Sequence, residues 1–191
     1  MTLHGAGQRD ATARVALIGV TGLAVTATLY FVGRAIVNTN GYSTVGLFGQ
    51  TGVGVYSLKS LLATIALGLA VVQVLLALWI YRKLPFAGRP PKRIGLTHRI
   101  VGGAVFLVTL PVAIHCAIAY GVKLTDPRIL VHSVAGCFFY GAFTAKVLLV
   151  RSRRLPGWAL PAAGGTLAIV VGVLWYTSAL WYYNGYQLPH L

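Results

Sequence analysis

Five long apolar runs, separated by short polar segments, dominate this chain of 191 residues. A helix needs about 20 apolar residues to cross ~30 Å of hydrocarbon at ~1.5 Å per residue. The runs cover approximately residues 14–37, 58–81, 98–121, 128–150 and 157–183. With 57% hydrophobic and 9% charged residues, the chain has too little polar surface to enclose a soluble globule. The expected fold is an all-α integral membrane protein, one transmembrane domain over residues 1–191 built as an antiparallel bundle of five helices.

Sixteen Lys and Arg against two acids give a net charge of +14. In a soluble chain this would suggest nucleic acid. Here no segment outside the apolar runs is long enough to build an exposed basic face with interleaved aromatics, so nucleic-acid binding is not expected. The bases instead sit between spans, where they set topology and meet anionic headgroups. Arg82, Lys83, Arg89, Lys92 and Arg93 lie between the second and third runs, with Arg99 just inside the third. Arg151, Arg153 and Arg154 lie between the fourth and fifth, with Lys146 one turn back. These loops, with Arg9 and Arg14, are expected in the cytoplasm, which puts the N-terminus inside and the C-terminus outside the cell membrane. The Arg9 and Arg14 flank resembles the start of a secretory signal, but the run behind it is too long for a signal core and is read as an uncleaved anchor.

Local signals mark the helix ends. Asp126 offers an N-cap acceptor and Pro127 needs no N–H at the first helical position, so together they open the fourth helix. Thr97 is expected to cap the third in the same way. Pro111 falls inside the third helix, where it frees a carbonyl and introduces a kink that a membrane bundle tolerates. The segment from Asn38 to Ser57, rich in Gly, Ser and Thr, reads as an ordered outer loop.

Chemistry-bearing groups are few. His115 lies six residues before Gly121 and His132 five after Pro127, roughly 9 Å and 7.5 Å inside the same end of consecutive helices. A histidine in a span can hydrogen-bond across helices. Two at one level also form the ligand pair of a buried haem iron, since polar groups in the bilayer are expensive and usually functional. Adjacent helices at ~8–10 Å leave no room for a flat macrocycle, so such a site requires these two to be splayed or diagonal. Gly136, one turn from His132, and Gly141 form a small-residue track that a porphyrin could approach, with Phe138, Phe139 and Tyr140 as aromatic wall. Lys123 and Arg128, with Lys59 and Arg34, are candidates to pair with propionates or else snorkel to the headgroups. His98 precedes His115 by 17 positions, roughly 25 Å along the axis and about 100° around it. It does not stack over the first site, and one haem is expected, with His98 an interfacial cap or headgroup contact.

The block from Leu96 to Tyr183 contains His98-Arg99-Ile100-Val101-Gly102, Leu110-Pro111-Val112-Ala113-Ile114-His115-Cys116 and the stretch from His132-Ser133-Val134-Ala135-Gly136 to Phe143. It resembles an uncharacterised family of bacterial five-span membrane proteins, itself similar to transmembrane cytochrome b and ferric-reductase-like proteins. The resemblance covers slightly under half the chain and implies haem ligation by His115 and His132. Those families usually draw ligands from non-consecutive helices.

Cys116 and Cys137 match neither c-type haem nor zinc spacing and read as small fillers. Gln73 reads as a helix-to-helix hydrogen bond or a quinone contact. Trp175, Tyr176, Trp181, Tyr182, Tyr183 and Tyr186 form an interfacial belt, with His190 beyond, that a redox partner or another subunit could meet. No catalytic acid, base or nucleophile is visible. The expectation is a membrane cytochrome b with one bis-histidine haem b near the extracytoplasmic face, an electron-transfer protein or oxidoreductase subunit rather than a stand-alone enzyme. It would pass electrons between quinol or a membrane partner and an extracytoplasmic redox protein. The alternative is a haem-free structural or assembly subunit of a larger membrane complex. A transporter is disfavoured, because the spans lack the acids of an ion path.

Overall fold

The computed structural model describes residues 3–39, 46–153 and 155–189. Arg154, His190 and residues 40–45 of the expected outer loop lie outside them, as does the side chain of Arg9. Five helices are long and apolar enough to cross a membrane. They are α1 (Leu3–Thr39), α2 (Val53–Ile80), α3 (Ile94–Ala119), α4 (Pro127–Arg151) and α5 (Ala159–Trp175). The last continues through a π-helical stretch, Tyr176–Leu180, into a final turn at Trp181–Tyr183. Among the described residues there is no strand, and the one bridge is a tight turn in which Leu47 and Gln50 exchange backbone hydrogen bonds.

The exterior is that of a protein whose solvent is lipid. Leu17 and Phe31 are each 68% exposed, Leu107 66% and Ile169 69%, all within helices that span. Such a surface would aggregate in water and is the ordinary outer face in a bilayer. The exposed hydroxyls of α1 are satisfied internally: Thr21 donates to Leu17 O and Thr28 to Ala24 O. A threonine that bonds back one turn leaves no orphan donor in hydrocarbon.

α1 to α4 begin ahead of the edges set by hydropathy. α2 begins at Val53, so Lys59 lies within a helix, because a long basic stem can cover apolar surface while its head reaches the interface. α3 begins at Ile94 with Arg93 in the N-cap position. Thr97 is therefore not a cap; its hydroxyl bonds back to Arg93 O at 3.4 Å. The fourth helix starts as expected, with Asp126 Oδ1 accepting from Ile129 N at 3.0 Å and Pro127 next.

α1 packs on α4, α4 on α5, α5 on α2 and α2 on α3, with α1 touching α3. Small residues set the α1–α4 contact: a Cβ on Gly22 would meet Gly141 O at 2.8 Å, and one on Gly141 would collide with Gly22 O and Thr26 Oγ1. The loop after α3 is clamped to α1 as well. Val122 N donates to Gly33 O at 3.0 Å and Arg34 Nη1 to Val122 O at 3.2 Å. Gly121 turns that loop with φ +61 in the left-handed region, against Gly33 and Val37, where a side chain would be both strained and obstructed.

α3 and α4, although consecutive, make little close backbone approach among the described residues. Side chains fill the space between them: Phe106 stacks on Phe143 with centroids 4.5 Å apart and meets Tyr140 edge-on at 5.8 Å, while Tyr140 donates to Thr109 Oγ1 at 3.3 Å. Phe139, Val105, Ala70, Leu167, Val170 and Val171 form the apolar core beside them.

Candidate functional site

His115 sits on α3, four residues past Pro111, and is 4% exposed. Its ring lies tilted against Tyr120, with centroids 5.9 Å apart. Tyr120 is also the seat of two ammonium groups, Lys59 Nζ at 4.6 Å from the ring centroid and Lys123 Nζ at 5.9 Å. A neutral phenol has the electron-rich face that attracts a cation. Burial, reinforced by a hydrogen bond with Tyr56, pushes the Tyr120 phenol up to about 12, so the ring stays neutral. Lys59 also reaches Cys116 Sγ at 3.4 Å. Cys116 thus carries a polar contact as well as filling space, whereas Cys137 is buried.

His132, on α4, faces the π-helical stretch. Its Nδ1 lies 2.9 Å from Thr177 Oγ1. The Thr177 hydroxyl hydrogen is committed to Val173 O at 2.7 Å, so its oxygen accepts and the imidazole nitrogen donates. That bonding pattern assigns the proton to Nδ1 and leaves Nε2 with its lone pair. A π-helical turn is rare and concentrates at functional sites because it re-aims one side chain and frees a carbonyl. Both effects are visible: Thr177 is turned to His132, and Thr177 O accepts from Arg128 Nη1 at 3.0 Å. The same guanidinium lies 3.8 Å from the Trp181 ring centroid.

Arg34, Lys59, Lys123 and Arg128 all gather at the end of the bundle that holds both histidines. The charges of Arg128 and Lys59 bear on the His132 ring. The one acid at this end, Asp126, serves as the α4 N-cap. This end of the bundle is therefore rich in cationic side chains and carries both histidines.

The two glycines expected to form one track have different roles. A Cβ on Gly136 would meet nothing nearer than Leu174 Cδ2 at 4.0 Å, so a methyl would be accommodated there. Gly141 faces α1 instead and serves helix packing, because its space is filled by Gly22 and Thr26. Of the expected aromatic wall, Phe139 is 2% exposed within the core and Tyr140 is spent on α3. His98 does not act as a helix cap: its carbonyl accepts from Gln73 Nε2, which is the helix-to-helix bond anticipated for Gln73. A cavity of about 170 Å³ lies away from this site, between α2 and α5, lined by Leu67, Ala70, Val71, Val74, Leu75 and Ala168. Among the described residues no three His, Cys, Asp or Glu side chains converge on a point that could hold a metal ion.

Thr177, Tyr56 and Tyr120 were not legible as site residues. Tyrosines near a membrane boundary read as belt, and a π-helical turn has no sequence signature of its own.

Neither a curated protein nor a solved structure matches the chain. A family model described as a family of unknown function (DUF6529) matches residues 15–190. The match covers nearly the whole bundle, and the chain belongs to that family.

Proposed function

We propose that the protein is a cytochrome b of the cell membrane, holding one haem b between His115 and His132 near the extracytoplasmic face. The observation that carries this reading is the 2.9 Å contact between His132 Nδ1 and the Thr177 hydroxyl, itself donated to Val173 O, a pairing that orients the ring and favours Nε2 as a free ligand atom. Three others support it. His115 is buried at a depth that matches His132 by residue count, α3 and α4 make little close backbone approach, and Gly136 presents no side chain one turn from His132. When bound, the iron porphyrin supplies a reversible one-electron couple.

The residues divide the remaining work. His115 and His132 would hold the iron. Lys123 and Arg128, with Lys59 and Arg34, would balance propionate charge that is costly to bury alone. Arg128 also anchors the π-helical turn that presents Thr177. The basic loops favour an antiparallel bundle with the N-terminus in the cytoplasm, which puts the histidine end outside. From there electrons would pass between a quinol or membrane partner and an extracytoplasmic redox protein that meets the Trp and Tyr rim.

A second reading, a haem-free structural or assembly subunit, is favoured by one observation: the His132–Thr177 bond is itself a helix-to-helix contact. Haem content of protein purified from haem-replete cells separates the two. The cytochrome gives one b-type haem per chain by pyridine haemochrome, and the subunit gives none.

A further inference from the structure

At the opposite end of the bundle three polar side chains from three helices lie at nearly one level inside the spans, and none is explained by the site above. Gln73 of α2 lies over Gly102 of α3, where any Cβ would crowd its amide, and its Nε2 donates to His98 O. That leaves Gln73 Oε1 buried with no partner among the described residues, and the His98 Nδ1 atom is buried and unpartnered too. Lys146 of α4 projects toward α5, its Nζ 4.0 Å from where a Gly164 Cβ would stand, and its charge bears on the His98 ring. Lys146 forms no ion pair among the described residues. The two acids of the chain are Asp10 in α1 and the α4 cap Asp126. Orphaned polar atoms and an uncompensated ammonium in a span are expensive, and a site that keeps them is built for something that completes it.

The level of this cluster narrows what that is. Lys146 lies five residues before Arg151, Gln73 seven before Ile80 and His98 four after Ile94, which is about 6–10 Å inside their helix ends. Helices of 25 to 28 residues exceed ~30 Å of hydrocarbon by several ångströms at each face. The cluster therefore sits just below the hydrocarbon boundary, within a lysine stem's reach of lipid phosphates. The surrounding loops carry Arg82, Lys83, Arg89, Arg151 and Arg153, which concentrate anionic lipid there.

Each group states its own requirement. Lys146 needs an anion, Gln73 Oε1 needs a donor, and His98 Nδ1 can donate to an oxygen. A phosphodiester with a free hydroxyl meets all three. A choline headgroup offers no donor and brings a cation against Lys146, and an inorganic phosphate brings no acyl chains to hold it at this depth. We propose that this notch binds the headgroup of one anionic phospholipid bearing a free hydroxyl, with phosphate on Lys146 and His98 and hydroxyl on Gln73 Oε1. The proposal is independent of the haem reading.

The test uses the full chain purified in neutral detergent and titrated separately with phosphatidylglycerol, phosphatidylcholine and inorganic phosphate, read by native mass spectrometry and by melting temperature. One phosphatidylglycerol should be retained per chain and raise the melting temperature by several degrees, with no such effect from phosphatidylcholine or phosphate. Lys146→Met should weaken retention at least tenfold, Gln73→Leu should weaken it less, and Thr28→Val, on the exposed face of α1, should leave it unchanged. Equal retention of both lipids, undiminished retention by Lys146→Met, or the same stabilisation from phosphate alone would overturn the assignment.

Discussion

His132 Nδ1 and Thr177 Oγ1, 2.9 Å apart, join α4 to the π-helical turn beyond α5. The two residues constrain each other. The turn aims the hydroxyl at the ring, the ring's proton goes to the hydroxyl oxygen, and the unprotonated nitrogen is thereby presented elsewhere. Arg128 holds the same turn through Thr177 O, so one face of α4 governs both the orientation of an imidazole and the helix that orients it.

Thr177→Val keeps the shape of the side chain and removes the acceptor, leaving a buried imidazole donor without a partner. It should destabilise the protein by about 1–3 kcal/mol, with Thr177→Ser restoring most of the loss. Unfolding in mixed micelles by increasing SDS measures both.

Gly141→Ala and Gly136→Ala make the same chemical change one helical face apart. At Gly141 the added methyl has nowhere to go without separating α1 from α4, and a loss of about 1–3 kcal/mol is expected. At Gly136 the methyl meets only Leu174 at ordinary contact distance, and stability should change by less than about 0.5 kcal/mol. Equal effects in the same SDS titration would mean that the two glycines do not have the separate roles assigned to them.

Arg128→Gln removes a guanidinium that bonds Thr177 O and covers the Trp181 ring. A loss of about 1–2 kcal/mol is expected, because the cation–π contact and a charge-assisted hydrogen bond go together. The intrinsic fluorescence of a variant with Trp181 as sole tryptophan should shift when Arg128 is replaced, and an unshifted spectrum would contradict the contact.

Tyr120 ionises late. Its pKa, held near 12 by burial and by Tyr56, exceeds the unfolded value, so the folded state keeps a proton that the unfolded state loses. The stability this contributes is complete below about pH 10 and is lost as pH rises through the folded pKa. Tyr120→Phe should therefore flatten the alkaline decline in stability between about pH 10 and 12. An unchanged decline would place the titrating group elsewhere.

The number of spans and the start of α4 were legible because both rest on local chemistry: apolar runs long enough for a bilayer, and the Asp126-Pro127 pair at a helix start. Thr97 misled for the same reason. A capping residue type says nothing about whether the helix has already begun, and basic side chains at Arg93 and beyond do not stop a helix that can reach the interface. The matched depth of His115 and His132 could be counted along the chain. The order of the helices around the bundle could not, and that order decides that Gly141 meets α1 while Gly136 does not. The unpartnered atoms of Gln73 and His98 were invisible for the same reason, since each residue reads alone as a loop-edge or packing residue. The π-helical turn at Tyr176–Leu180 lies against α2 and α4, and no local pattern in the sequence marks it.

The most direct test of the central claim is the reduced-minus-oxidised absorption spectrum of protein purified from haem-replete cells, compared with His115→Ala and His132→Ala at equal folded yield. Iron held between the two imidazoles predicts a low-spin b-type band in the parent protein and its loss in both variants. A folded, colourless parent, or a band that survives either substitution, would contradict it.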